Sequence, residues 1–448
     1  MFYRALLLPD LRLSLAENNE LELREFCNAL HPTIAAEVLE ELDASEIWTV
    51  LRMADARHQA DIFGNLPASR QIAIVDFADK KELSKLLEEM RADERVAVLK
   101  QLDEEHVEAI LPLMAQAERA DIRKLLSYPD GSAGSIMTTE YASLHEDLTV
   151  AEAFEQLGKQ APDSETIYYI YIVDEARKLD GIVTLRMLIL SKRTAKLADI
   201  MRRDVICVRV DDKQEFVATE MARYDFLAIP VVDQQSRLVG IVTHDDALDV
   251  LQDEAEEDAQ LQGAVQPLDG DYMDTPLLVL AQKRGVWLIL LLCAAFGNAA
   301  LLKQYKDTEE LFHWIGWFVP LVLACGGNAG SQSATLIIRE IHTRVLSRAD
   351  KITLLWREMR VAMLLGLCMM TVAFVGAATL VTLPQAGIIS ATVGLMVLIG
   401  TLAGTTLPIT FKSLGMDPAV MSNPLIASLS DFIGVLVFFN AVLFLANR

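Results

Sequence analysis

The sequence predicts a multidomain membrane protein: an all-α superhelical N-domain, an α/β pair of repeated units, a connecting helix and an all-α membrane domain of five helices. Three observations carry this. An apolar position recurs every twelve residues between about 25 and 126, a unit of about sixty residues occurs twice between 136 and 251, and five long apolar segments follow Arg284. Charge divides along the same line: residues 1–282 hold 55 acidic and 28 basic side chains, net −27, and the remainder holds 8 and 12, net +4. An acidic soluble part joined to an apolar part argues against nucleic acid as a partner and leaves cations as natural ligands.

In the N-domain, residues 1–128, the period is marked by Leu39, Leu51, Phe63, Val75, Leu87, Leu99 and Leu111, usually followed by a polar turn. Such a period fits short helices packed pairwise into a small solenoid. Its many acidic residues, Glu40, Glu88 and Asp103 among them, suit a solvated face. The start, MFYRALLLPDLRLSL, lacks a long apolar core with a small-residue cleavage site, so the soluble part is expected to stay in the cytoplasm. The five cysteines (Cys27, Cys207, Cys293, Cys325, Cys368) show no CxxC pairing, which points away from zinc sites and a disulfide framework.

The repeat comprises residues 129–199 and 200–252. Ile136-Met137 opens the first copy and Ile200-Met201 the second; Val-Asp precedes Gly-Ile-Val-Thr at the same offset in both, Asp174 to Gly181 and Asp233 to Gly240. Strand-like IYYIYIVD and FLAIPVVD alternate with helical stretches. The pattern resembles a tandem pair of cystathionine-β-synthase-type (CBS) domains, modules that commonly bind adenine nucleotides or ions. The nucleotide signature of that family, Ser or Thr followed three places later by Asp, is matched by Thr243 and Asp246, which makes ATP a candidate ligand; in the first copy the Asp position is Met187.

Residues 253–282 are expected to form a connecting helix that opens on the most acidic run, Asp253, Glu254, Glu256, Glu257 and Asp258. Together with Asp246 and Asp249 these carboxylates recur at short helical intervals, so several could meet a facing surface with a divalent ion between. The membrane domain, residues 283–448, holds spans near 285–302, 311–337, 358–383, 386–411 and 423–446, each close to the ~20 residues a crossing needs. Arg339, Arg344, Arg348, Lys351, Arg357 and Arg360 lie between the second and third spans, whereas the turn around Pro384 carries no charge. A multi-pass protein of the inner or plasma membrane is expected, and the positive-inside rule predicts its N-terminus cytoplasmic and its C-terminus outside.

Two stretches of this domain carry chemistry. In PLVLACGGNAGSQ, Gly326, Gly327, Asn328, Gly330, Ser331 and Gln332 suggest a helix that breaks and exposes backbone, which bilayer depth tolerates only beside protein or a water-filled path. In SNPLIASLSDFIGVLVFF, Asp431 is the acidic residue well inside a span, with no basic residue in the spans to pair with it except His313 near an outer end. An ionised carboxylate there is costly and tends to face a cation or water. Two copies around a common axis make a ring selective for divalent charge. Magnesium keeps its waters and is held through one or two carboxylates; Gly327, Asn328, Gln332, Thr405, Pro408, Asn423, Ala427 and Ser430 supply neutral neighbours for it.

At these residues the chain resembles the MgtE family of magnesium channels: PLVLACGGNAGSQSATLIIR and DPAVMSNPLIASLSDFIGVL look like its pore motifs, LLSYPDGSAGSIMTTEY at 125–141 is a further family-like segment, and the order of domains matches. The resemblance implies a homodimer in lipid whose pore lies between two fifth helices, with Asp431 selecting the ion. It implies passive uptake of Mg2+, the substrate, with cytosolic Mg2+ closing the channel through Asp225, Asp246, Asp249, Glu254, Glu257 and Asp258 on the CBS and connecting ("plug") segments. In the N-domain, a family acidic pair spaced four apart reads Asp93 and Ala97, which keeps one ligand of two. No Walker A loop or phosphorylated-Asp motif indicates a pump or another enzyme. The alternatives are a carrier for manganese or cobalt and a CBS-regulated anion channel, against which Asp431 and the lack of buried Lys or Arg both argue.

Overall fold

In the computed structural model, which describes residues 2–161, 164–268, 272–273, 275–343, 347–420 and 423–446, the twelve-residue period sets both the core and the helix starts of the N-domain. Leu39, Leu51, Phe63, Val75, Leu87 and Leu99 are at most 2% exposed. Each falls on one of the short helices Pro32–Leu39, Ala44–Leu51, Ala56–Gly64, Ala68–Phe77, Lys80–Glu89 and Ala92–Gln101. Helices two apart stack on one another, giving the expected solenoid. The same period places aspartates at helix N-caps. Asp55, Asp79 and Asp103 accept from the backbone N–H of His58, Lys81 and His106 at 2.9, 3.0 and 3.0 Å, and Asp43 forms a capping box with Glu46. Each such cap stabilises its helix by about 1 kcal/mol. Position 91 stands in this register too, yet Arg91 there makes no cap.

The repeats form two three-stranded sheets. In the first, β1 (Tyr141–Leu144) lies parallel to β2 (Thr166–Val173), which is antiparallel to β3 (Leu179–Thr184). In the second, β4 (Val208–Arg209), β5 (Ala228–Val232) and β6 (Leu238–Thr243) repeat the order. The lead-in of each repeat crosses to the other: Thr138 exchanges backbone hydrogen bonds with Ile241, and Arg202 with Ile182. A Cβ on Gly240 would lie 2.6 Å from Met137 Sδ, and one on Gly181 2.7 Å from Met201 Sδ. The recurring Ile-Met and Gly-Ile-Val-Thr are therefore partners, each methionine seated on the glycine of the opposite repeat. Ala92 and Val96 of the N-domain join the apolar core of the second repeat beside Val217, Ile229 and Val242.

Residues 253–448 form a separate unit. Five helices among its described residues are long and apolar enough to cross a membrane: Leu277–Gln304, Ile315–Thr343, Arg348–Ala378, Leu383–Ser413 and Asn423–Ala446. At about 1.5 Å per residue each exceeds the ~30 Å hydrocarbon core. The fourth is the most enclosed, packed between the second and third, and the first leaves nearly all of its surface open.

Three expectations are corrected. The second span does not break: Ile315–Thr343 is one helix through Gly326–Gln332. Its glycines instead form a packing stripe, for a Cβ on Gly400 or Gly404 of the fourth span would meet the carbonyl oxygen of Gly326 or Gly330 at 2.1 Å. Small residues four apart on facing helices let main chains approach closely, and this contact offsets the poor helix propensity of glycine. The connecting segment is not one helix either. His244–Gln262 is helical, Gly263 to Leu268 is not, and the first span begins at Leu277. Finally, the third helix starts at Arg348 rather than near 358, so Glu358 lies inside it, ten residues past its start, where its Oε2 accepts from Ser333 Oγ at 2.8 Å. Arg344, Met421 and Ser422 lie outside the described residues.

Candidate ion pathway and cation-sensing site

The fifth span presents Pro424, Ala427, Ser428 and Asp431 on one side, as three- and four-residue spacing on a helix requires. They line a cavity of 410 Å3 with Leu291, Ala295, Asn298, Ala299 and Leu302 of the first span. Six waters at about 30 Å3 each occupy roughly 180 Å3, so the space admits a cation with a full water shell. Asp431 is half-buried, and among the described residues no Lys, Arg or His pairs with it. Gly327 of the second span sits against Ala427, where an added Cβ would approach Ala427 Cβ to 3.2 Å, and Ser331 Oγ donates to the Asn423 carbonyl at 3.2 Å. Gly327, Asn423 and Ala427 thus share the seam between the second and fifth spans. Asn328 and Gln332, four apart on an exposed face of the second span, do not line the cavity. Asn298, whose Oδ1 is buried without a hydrogen-bond partner, was not foreseen; a lone asparagine in the apolar run of the first span is its one signal.

A second concentration of carboxylates lies in the soluble unit, where the N-domain helix Ala92–Gln101 meets the repeats. Asp93 and Asp246 are brought together here. Burial, and then the neighbouring charge of Asp246, holds Asp93 well above the usual carboxylate range. Burial likewise pushes Asp246 up to about 6, opposed by the Thr243 hydroxyl, which donates to its Oδ2. Asp93 Oδ1 is buried with no donor. Two half-buried carboxyls facing each other, one of their oxygens buried and unpaired, repel when ionised and so favour a shared cation. Magnesium, which takes one or two carboxylates and keeps waters, fits this donor set.

Around the pair stand residues with no local motif to announce them. Arg91 binds Glu94 of its own helix, Glu165 of the first repeat at 2.7 Å and Asp245 of the second at 3.4 Å. Arg95, 3% exposed in its side chain, binds Glu118 and the Met90 carbonyl at 2.7 Å and faces Glu140 at 3.9 Å. Burial lifts Glu140 to about 7 despite Arg95.

The other expected ligands are spread out. Asp225 caps the Gln214–Tyr224 helix in the left-handed conformation, φ 54°, and is exposed. Asp249 is exposed one turn along the helix from Asp245. Glu254, Glu257 and Asp258 belong to the membrane unit, where burial, then Asp417 and Asp258, raises Glu257. Among the described residues no three His, Cys, Asp or Glu side chains are already arranged around one metal position. Of the nucleotide signature, Thr243 and Asp246 are in place, hydrogen-bonded to each other, while in the first repeat the Thr184 hydroxyl accepts from the Met187 N–H at 3.2 Å.

Comparison with known proteins converges on one group. Residues 319–441 match the family model described as MgtE, divalent cation transporter; 30–131 match the MgtE intracellular N domain, and 133–192 and 197–253 match the CBS domain. The chain is 41% identical over 324 residues to the magnesium transporter MgtE of Thermus thermophilus, covering 71% of each. To the magnesium transporter MgtE of Enterococcus faecalis it is 36% identical over 321 residues, 71% of this chain and 70% of that one. A crystal structure of the soluble part of a magnesium transporter superposes with a TM-score of 0.53 at 35% identity, covering 56% of this chain and 99% of that one. The cytosolic domain of the Mg2+ channel MgtE in complex with ATP gives 0.52 at 36% identity, covering 54% and 99%.

Proposed function

Since the chain belongs to the MgtE family, a family of transporters rather than enzymes, we propose that it carries Mg2+ into the cell as a channel, down the electrochemical gradient. The observation that carries this reading is Asp431: a carboxylate inside a span, without a basic partner among the described residues, lining a cavity wide enough for a hydrated divalent ion. The protein acts as a homodimer in the cell membrane with its soluble unit in the cytoplasm, and a second Asp431 from the other subunit doubles the charge at the pore. Asp431 supplies charge to the water shell of the ion, Asn298 and Ser428 line the same cavity as neutral polar neighbours, and Gly327 and Asn423 hold the second span close against the fifth beside Ala427. Because the ion keeps its waters, these groups select by size and charge of the hydrated species.

Cytosolic Mg2+ regulates the flow. An ion between Asp93 and Asp246 neutralises two half-buried carboxyls and stabilises the N-domain on the repeats; Asp225, Asp249, Glu254, Glu257 and Asp258 supply further carboxylates for the closed state. ATP binds at the repeats through Thr243 and Asp246, a reading supported by the likeness to an ATP-complexed relative. The test is Mg2+ flux into liposomes: Asp431→Asn lowers it at least tenfold, with equal protein reconstituted. Unchanged flux in that variant defeats the proposed route, and preference for Mn2+ over Mg2+ in the wild type defeats the proposed substrate.

A further inference from the structure

We propose that Arg91 is a positioning residue for the cation-sensing site, a permanently charged group that holds the N-domain against both repeats before any divalent ion binds. The proposal rests on the reading of Asp93 and Asp246 as ion ligands and adds to it a resident cation. Three observations carry it. First, the helical register of the N-domain puts an acidic cap at positions 43, 55, 79 and 103, and of the equivalent positions 67, 91 and 115, which cap nothing, only 91 carries a charge, an arginine. The local preference has been given up there, and the side chain is spent elsewhere. Second, that side chain reaches three segments at once: Glu94 on its own helix, Glu165 at 2.7 Å, which is 13% exposed in its side chain, and Asp245 at 3.4 Å. One guanidinium thereby joins the N-domain to the first and the second repeat. Third, it is the cation available to the group. Arg95 is committed to Glu118 and to the carbonyls of Glu88 and Met90 at 3.3 and 2.7 Å.

Charge explains what this does. Asp93, Glu94, Glu165, Asp245 and Asp246 are five carboxylates around one guanidinium, so the ionised group carries −4, and one bound Mg2+ brings it to −2. Without Arg91 the same single ion leaves −3, and a second divalent ion is needed to pass below the present balance. Arginine suits the task because its planar fork of five donors reaches several carboxylates and does not deprotonate. A metal in the same role leaves when its concentration falls; Arg91 does not. It therefore keeps the N-domain partly docked in the absence of Mg2+ and lowers the Mg2+ concentration at which docking completes.

The experiment is protease protection of the N-domain in the full chain, reconstituted in lipid nanodiscs and titrated from excess chelator into Mg2+. The wild type retains partial protection in chelator. Arg91→Ala loses it and regains protection with a Mg2+ midpoint at least tenfold higher and a steeper titration, while Arg91→Lys keeps part of the protection. At saturating Mg2+ the thermal midpoints of wild type and Arg91→Ala coincide, which a merely structural role would not produce. Should Arg91→Ala fail to fold, Arg91→Gln, which removes the charge and keeps hydrogen bonding, carries the same expectation. An unshifted midpoint in the neutral variant, or a wild type cleaved in chelator as fast as that variant, overturns the proposal. Asp93→Asn combined with Asp246→Asn tests the underlying reading separately: a wild-type Mg2+ response there removes the ion ligands and leaves the chelator comparison of Arg91 to stand or fall alone.

Discussion

The contact of the second and fourth spans makes Gly400→Ala a sharp test of how the membrane unit is built. The added methyl would stand 2.1 Å from the Gly326 carbonyl oxygen, where ordinary contact begins at 3.4 Å. The opposing atom is main chain, so no side chain can swing aside and the two helices must separate by more than 1 Å. Overpacking of this kind costs about 1–3 kcal/mol, and a main-chain clash belongs at the upper end. Alanine regains about 1 kcal/mol of helix propensity, which leaves a net loss of about 2 kcal/mol, roughly thirtyfold in the folded-to-unfolded ratio. For a unit of this size that lowers the thermal midpoint by about 4–8 °C. Size-exclusion chromatography of detergent-solubilised protein after stepped heating reads the shift directly. Gly376→Ala is the control, because nothing lies within 4 Å of its added Cβ and it should be neutral or slightly stabilising. Mg2+ flux should fall in Gly400→Ala alone, since the displaced helix carries the Gly327 contact to Ala427. Equal midpoints for the two variants would refute the close packing.

Two other expectations concern the soluble unit. Phe63→Ala empties a fully buried position on the twelve-residue period and should cost about 3–5 kcal/mol, seen as early melting and protease sensitivity of the N-domain at any Mg2+ concentration. Glu140 is lifted to about 7 in the fold, so the native state binds more protons than the unfolded chain between its ordinary 4.5 and 7. Stability of the unit therefore falls as pH rises through that window and levels off above it. Glu140→Gln should flatten part of the profile of thermal midpoint against pH between 5 and 8, leaving the slope of the same sign from Asp246, which is lifted to about 6, and from Asp93, which burial also raises.

Much of this architecture is legible in the residues. The period that buries Leu39 through Leu99 also positions Asp43, Asp55, Asp79 and Asp103, because one repeat length fixes both the inward face and the turn. The five spans follow from apolar length, and the paired sheets from the twice-written Gly-Ile-Val-Thr. What the residues leave open is partnership. Gly326 and Gly330 read as a break in the helix, and only Gly400 and Gly404, far along the chain, show them to be a packing stripe. The third helix starts at the Ser347–Asp350 capping box, ahead of its apolar run, so Glu358 falls within a helix although it looks like a flank. At the proposed cation site Asp93 and Asp246 stand out by type, but Glu165 and Arg91 become meaningful only when three segments converge.

The exchanged methionines of the two repeats have a consequence for how such a chain comes into being. Met137 is housed by Gly240 and Met201 by Gly181, so neither half is finished by its own residues. A single half, translated alone, would carry a knob without a socket and a socket without a knob, and two identical molecules of it would complete each other. Duplication within one gene turns that encounter into an intramolecular event, and every later substitution at a knob has to be answered in the opposite half.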